Sequence, residues 1–459
     1  MLRSTISLAS LAAMGAHSVL GATTSSSAVL PAPTAIDLAS MSGVVGALHR
    51  PAPGGDPDKA AIAVMVMHAE SDYLSFYPCT ELPKRGYTVL CANNEESKDP
   101  NMGTINFEDV MLDAGYAVAY LRNLTDIKKI VLFGHSGGGA LLSQYQNVAE
   151  NGLTACNGSE KLYPCSSALA DLPAADGVIL DDANFGIAPM VLMSLNPAIE
   201  NESTGMLVDQ SLDLYSTTNG WSSTGVSNYS VAFAKQFAAG VNARNTRLIN
   251  YAQERLAAIN NGSGLFADDE PFYIPDASYG YTNNKFFNQD LNYLHHTTHP
   301  WKLLHKNGSY TTQIVPSVRV VSTSPSVANQ FLSGALKTTI KRFLATLAVT
   351  TTANYAYHAD GVTGVVWNSS QLTPISAVQG IHVPLLTMGN TGHYEMIAIE
   401  KAHLAATASN DTDIAFVEGA QHTIDTCTEC ESYPGEFGDT VKTTFDYMDG
   451  WLSKPGRFL

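Results

Sequence analysis

The stretch that decides the fold is Ile130-Val131-Leu132-Phe133-Gly134-His135-Ser136-Gly137-Gly138. Its four leading apolar residues read as a strand buried on both faces. The next five fit G-x-S-x-G, in which a serine stands on a sharp turn between a strand and a helix. Such a turn strains the serine backbone, so the residues two before and two after it must be small. Ala140 to Gln146 continues as a helix, and Asn151-Gly152 is a fitting stop. A helix starting there aims its unpaired N–H groups and positive dipole end at Ser136, where they stabilise developing negative charge. Ser136 is therefore the candidate nucleophile.

The flanks supply the context this motif needs. Upstream, Phe107 to Leu121 carries Val110, Ala114, Ala117, Val118 and Leu121 at helical spacing, and the polar loop Asn123 to Asp126 leads into the strand. Further upstream, Val44 to Leu48 and Ala60 to Met67 read as strands, followed by a short helix around Glu81 and a strand in Arg85 to Leu90. Downstream, Asp176 to Leu180 is another buried strand that ends at Asp181-Asp182. Alternation then lapses. Helices are expected over Tyr229 to Asn260 and Ser326 to Thr350, with an aromatic, polar stretch without period from Asp268 to Tyr310. Strand and helix alternate again at Val383 to Met388, Met396 to Ala408, Asp413 to Val417 and Val441 to Leu452. The expected architecture is α/β, a mostly parallel sheet covered by helices on both faces. Its core spans 35–182 and 371–459, interrupted by a mainly helical cap insertion at 183–370. No internal repeat is visible.

The chain has 459 residues, 45% of them hydrophobic and 15% charged, which suits a large globular core. Its formal net charge of −17 argues against electrostatic binding of nucleic acid or anionic membranes. Arg3, the apolar run Ile6 to Met14 and the small residues at Val19 to Ala22 read as a secretory signal over residues 1–22. No run of about 20 apolar residues suggests stable membrane insertion. Eight N-x-S/T sequons, at Asn123, Asn157, Asn201, Asn228, Asn261, Asn307, Asn368 and Asn410, point to a secreted glycoprotein of a eukaryotic route. Six cysteines fit three disulfides in an oxidising compartment. Nearest-neighbour pairing joins Cys79 to Cys91, Cys156 to Cys165 and Cys427 to Cys430, with other connectivities open.

Together these motifs, with Val383-Pro384-Leu385-Leu386 and Val417-Glu418-Gly419-Ala420-Gln421-His422, make the chain resemble the α/β-hydrolase superfamily, as a secreted serine esterase or lipase with a large cap. The resemblance covers the core and not the insertion. It implies a triad in the chain order nucleophile, acid, histidine. His422, in a Gly-Ala-x-His loop after the last core strand, takes the histidine position, as general base and then general acid. The acid is expected after the strand at 383–388, where the loop offers Glu395 as its first carboxylate; Asp182 or Asp181, after the preceding strand, are the alternatives. The oxyanion hole is expected from the backbone N–H of Gly137 and of Ala69 or Glu70, in the loop that begins at His68. His135 is expected to point away from the reaction. The cluster His295-His296-Thr297-Thr298-His299 lacks an acidic or cysteine ligand at metal spacing, so neither metal nor cofactor is expected.

The chemistry implied is cleavage of a small-molecule carboxylic ester through an acyl-enzyme on Ser136. Acyl transfer or a lyase reaction on the same fold, or a catalytically inactive hydrolase fold used for binding, are the other readings. Aromatic residues of the cap (Phe233, Phe237, Tyr251, Phe272, Tyr273, Tyr279, Tyr281, Phe286, Trp301) suit either an enclosed apolar pocket or the cap's own core.

Overall fold

Ile130 and Leu132 face one side of the strand Lys129–His135 and Val131 and Phe133 the other, all fully buried, so this strand has a hydrophobic layer on each face. The computed structural model describes residues 29–39, 43–97, 103–280, 284–321 and 334–459. The expected signal segment 1–22 and Tyr281 lie outside them.

In chain order the strands are β1 (Thr34–Ala39), β2 (Val44–His49), β3 (Ile62–Val66), β4 (Thr88–Asn93), β5 (Lys129–His135), β6 (Gly177–Asp181), β7 (Pro271–Ile274), β8 (His296–Leu304), β9 (Tyr310–Pro316), β10 (Leu336–Thr339), β11 (Thr351–His358), β12 (Gly361–Val365), β13 (Leu385–Asn390) and β14 (Thr412–Val417). Ten of them form one sheet in the order β1-β2-β4-β3-β5-β6-β13-β14-β8-β9. From β4 to β8 every neighbouring pair is parallel. β2, β1 and β9 add antiparallel edges. Helices Phe107–Arg122, Gly137–Asn151 and Met396–Ala405 pack on one face, and Pro78–Lys84 and Thr440–Leu452 on the other. The sheet is thus covered on both sides, and β5 sits near its middle with the Ser136 turn at its C-terminal end.

The insertion departs from the sequence reading in two places. Residues 296–316, expected within a mainly helical cap, form β8 and β9 and extend the main sheet beyond β14. Thr297, Leu303 and Leu304 are buried there while β9 turns Thr311, Thr312 and Gln313 outward, the pattern of a sheet edge. Of the helix expected over Ser326 to Thr350, residues 326–333 lie outside the described residues; within the rest, 336–339 pairs with β7 as β10, 340–347 is helical, and β11 follows. The β-branched Thr338 and Thr339 favour that extended pairing. The long helix is where the apolar stripe places it, at Val231–Asn260, with Ser230 capping its N-terminus through the N–H of Phe233.

Most of the aromatic residues of the insertion are buried in the same hydrophobic cluster as one face of the sheet. Tyr229, Phe233, Phe237 and Phe286 pack against one another with ring centroids 4.8–6.3 Å apart. Tyr251 and Tyr273 are exposed. The three disulfides are Cys79–Cys91, Cys156–Cys165 and Cys427–Cys430. Seven of the sequon asparagines are exposed and Asn201 is half-buried.

Candidate active site

Ser136 stands between β5 and the helix Gly137–Asn151 with φ 55° and ψ −126°, a left-handed conformation that costs a non-glycine residue about 1–3 kcal/mol. The glycines around it are dictated by space. A Cβ on Gly134 would lie 2.6 Å from the Gly138 carbonyl oxygen, and one on Gly138 would lie 2.4 Å from that of Met67. Gly139 belongs to the same packing, since a Cβ there would meet Ala183 at 2.2 Å. The turn presents the part-exposed Ser136 hydroxyl beyond the C-terminal edge of the sheet.

His422 reaches it from the loop after β14. Its Nε2 lies 2.9 Å from Ser136 Oγ, and its Nδ1 lies 2.7 Å from Asp182 Oδ2. Asp182, directly after β6, is fully buried and accepts on Oδ2 from His393 Nδ1 as well, at 3.1 Å, and on Oδ1 from the N–H of Asn390, also at 3.1 Å. Burial alone would raise this carboxyl, but the hydrogen bonds from His393 and His422 hold it well below the usual carboxylate range. Asp182 is therefore an anion at neutral pH, with both oxygens satisfied.

The two other candidate acids are placed differently. Glu395, the favoured acid of the sequence reading, comes to 3.4 Å of His422 Nδ1 with Oε2 and makes no hydrogen bond through that oxygen. The order is reversed because Asp182 occupies the shorter, in-line position on Nδ1, leaving Glu395 as a second carboxyl beside it. Burial pushes Glu395 up to about 7, against the opposing pull of the His422 charge. Asp181 is buried with neither carboxyl oxygen hydrogen-bonded, and burial together with the Asp182 charge drives it well above its normal range. It does not touch His422.

His422 feels all of these groups. Burial would lower its imidazole, but the Glu395 charge and the Asp182 hydrogen bond outweigh that and raise it to about 9. Its loop is fixed from below by His135, whose Nε2 lies 2.5 Å from the His422 carbonyl oxygen. A carbonyl only accepts, so His135 carries its proton on Nε2, and its Nδ1 accepts from the Tyr73 hydroxyl at 2.6 Å. His135 does point away from the serine, yet it is not idle: it holds the backbone of His422.

At the expected oxyanion position, the N–H of Gly137 is directed at His68 Nε2, 3.2 Å away. The N–H of Glu70, one of the two expected partners, is turned instead onto His68 Nδ1 at 3.0 Å, alongside that of Ser71 at 2.9 Å. This corrects the assignment of Glu70, because an N–H spent on the ring is not free for substrate. Ala69 is fully buried, and its carbonyl accepts from Asn94 Nδ2. The Glu70 side chain instead reaches the insertion, where it accepts from the Tyr279 hydroxyl.

His393, His135 and His68 had no role in the sequence reading. His393 could have been noticed only as a histidine in the same loop as Glu395, and His68 only as the first residue after β3. Among the described residues, ligand-type atoms of Asp182, His393, Glu395 and His422 lie within 4.8 Å of one another, enough to hold a metal ion. The two imidazole hydrogen bonds to Asp182 already account for that convergence. In the 295–299 cluster, His296 Nδ1 meets a backbone carbonyl.

No protein-family model matches the chain, and no curated protein matches it by sequence. Solved structures similar to it include a soluble variant of monoglyceride lipase from Saccharomyces cerevisiae in complex with a substrate analogue, at 12% identity over 94% of this chain and 98% of that one, TM-score 0.38. Est1E from Butyrivibrio proteoclasticus is similar at 9% identity over 92% and 98%, TM-score 0.35. A hormone-sensitive lipase from a metagenome library is similar at 10% identity over 92% and 84%, TM-score 0.38. What gives this chain the α/β-hydrolase fold is the order and direction of its own strands, with the serine elbow at the end of a central parallel strand.

Proposed function

We propose that this protein is a serine hydrolase that cleaves a carboxylic ester, with Ser136 as nucleophile, His422 as base and Asp182 as the acid that orients it. The observation carrying the reading is the continuous chain Ser136 Oγ, His422 Nε2, His422 Nδ1, Asp182 Oδ2, with steps of 2.9 Å and 2.7 Å at the two hydrogen bonds. Neutral His422 takes the Ser136 proton as Oγ attacks the ester carbonyl carbon, and then returns it to the departing alkoxide. Water repeats the sequence on the acyl-enzyme and releases the acid.

We further propose that the chain is secreted and N-glycosylated, a reading supported by the exposure of its sequons and by its three disulfides. The decisive test of activity is reaction with a fluorophosphonate, together with turnover of p-nitrophenyl esters of graded acyl length. Adduct mass on the Ser136 peptide and turnover abolished in Ser136→Ala support the enzyme. Folded protein that neither labels nor turns over any ester supports the inactive, binding-protein reading.

A further inference from the structure

His68 is placed where its ring cannot be a passive neighbour. It is buried, stacks on Tyr73 with ring centroids 4.7 Å apart, and stands against the residue that follows the nucleophile. Its Nδ1 receives two backbone N–H groups, from Glu70 at 3.0 Å and Ser71 at 2.9 Å. A nitrogen that accepts hydrogen bonds carries a lone pair and no proton. Burial, helped by the His422 charge, lowers the imidazole to about 3, so it is neutral across the working range and owns one ring proton. That proton belongs on Nε2. The reverse tautomer would let Nε2 accept from Gly137 at 3.2 Å, at the cost of setting an Nδ1–H against two shorter donors.

With the proton on Nε2, two N–H groups stand 3.2 Å apart beside Ser136, that of Gly137, which is directed toward the His68 ring, and that of the ring itself. An oxygen about 2.9 Å from each nitrogen closes a nearly equilateral triangle with their 3.2 Å separation. That is the requirement for holding a tetrahedral oxyanion, and the backbone N–H of Glu70, an expected donor, is consumed in fixing the ring. We propose that the Nε2–H of His68 is the second donor of the oxyanion hole, so that a side chain does what a backbone amide does in the expected arrangement. The proposal rests on the hydrolase reading above. In the reaction Ser136 Oγ bonds to the carbonyl carbon, the C=O π pair moves onto oxygen, and the serine proton goes to His422 Nε2. His68 and Gly137 donate hydrogen bonds to the new O⁻ and keep their protons throughout.

The substitution His68→Asn separates the two functions of the ring. Asparagine Oδ1 can still accept from Glu70 and Ser71, but nothing remains at the Nε2 position. His68→Gln extends an amide N–H₂ toward it. With a p-nitrophenyl ester, His68→Asn is expected to lose about 10²–10³-fold in kcat with little change in KM, and His68→Gln to recover part of it. The inhibition constant of a trifluoromethyl ketone, whose hemiketal oxyanion occupies the hole, rises in step, a change that a merely structural role would not produce. ¹⁵N NMR of imidazole-labelled wild-type protein reads the tautomer independently of any variant's folding, and Nε2–H is expected for His68. An Nδ1–H tautomer, or folded His68→Asn within about threefold of wild-type kcat while Ser136→Ala is inactive, overturns the role of His68 and leaves the hydrolase standing. Full activity in Ser136→Ala overturns both.

Discussion

Asp182 and His422, 240 residues apart in sequence, meet through an Oδ2–Nδ1 distance of 2.7 Å at the C-terminal edge of the sheet, the carboxylate fully buried and the imidazole part-exposed. The same carboxylate is fixed from its other sides by His393 and by the N–H of Asn390, so it can rotate only by giving up hydrogen bonds. A carboxylate held this way orients the imidazole, selects its Nδ1–H tautomer and stabilises the imidazolium that forms. Asp182→Asn is expected to lower kcat by about 10⁴, since the amide preserves shape and loses the charge. Glu395→Gln should stay within about tenfold, or about 1.4 kcal/mol of barrier. Turnover of one p-nitrophenyl ester by both variants decides the matter, and a greater loss in Glu395→Gln would return the acid role to Glu395.

Glu395 has its effect through charge. The form of His422 that acts as base is the neutral one, populated above its pKa, which the nearby carboxylates raise to about 9. The acid limb of the kcat/KM profile is therefore expected on the alkaline side of neutrality, with activity rising as pH increases through it. Glu395 is the largest of the groups that raise His422, so neutralising it in Glu395→Gln lowers the imidazole and moves the limb to lower pH. Because Glu395 itself sits near 7, the wild-type limb reports the pair and not either residue alone. A profile that does not move in Glu395→Gln contradicts this coupling.

Much of this site is written in local sequence, and the remainder is not, for physical reasons. The elbow at Ser136 is legible because a strained turn between two buried elements admits so few residues. His422 is legible from its position after the last core strand. The choice among Asp181, Asp182 and Glu395 is a matter of ångströms: Asp181 and Asp182 are adjacent, yet the positive φ of 40° at Asp182 turns one toward His422 and leaves the other without a partner. Nothing in a one-dimensional pattern sets that angle. The same holds for β8 and β9, since the place of β8 beside β14 is a tertiary pairing that the 107 residues between Leu304 and Thr412 conceal. The role of His68 depends on which backbone N–H groups face which ring nitrogen, information that exists only once the loop is folded.

His135 tests how far the catalytic loop depends on support beneath it. Its Nε2–H donates to the His422 carbonyl, and Tyr73 fixes its tautomer from the other side. His135→Phe keeps the ring and removes both hydrogen bonds. A displacement of His422 by about 1 Å is enough to cost about 10² in rate, so kcat should fall by that order with KM little changed. Retention of wild-type kcat in folded His135→Phe would show that the loop is held by other contacts.

The proposed glycosylation has a direct readout. Protein recovered from a eukaryotic secretory host should lose mass in discrete steps on treatment with an amidase that removes N-glycans, converting the glycosylated asparagines to aspartate. Asn201, the one half-buried acceptor, is expected to show the lowest occupancy by peptide mapping. Secreted protein without any glycan mass contradicts the reading.

Arg244 places a fully buried cation at the junction of several segments of the insertion. It is fully buried on the long helix Val231–Asn260, grips Glu202 with Nε and Nη2 at 2.8 Å and 2.7 Å, and donates to the carbonyls of Asn196 and Pro275 at 2.8 Å and 2.6 Å. One planar guanidinium thereby ties three segments of chain to the helix. Arg244→Met leaves those carbonyls without their donor and removes the bidentate partner of the part-exposed Glu202, which is expected to cost about 1–3 kcal/mol and to lower the urea midpoint accordingly. Arg244→Lys keeps the charge but cannot span a bidentate carboxylate and two carbonyls at once, so it should also destabilise. None of these partners touches Ser136, His422 or Asp182, so the folded fraction of either variant should keep wild-type kcat. Loss of kcat at full stability would instead assign this cluster to the reaction.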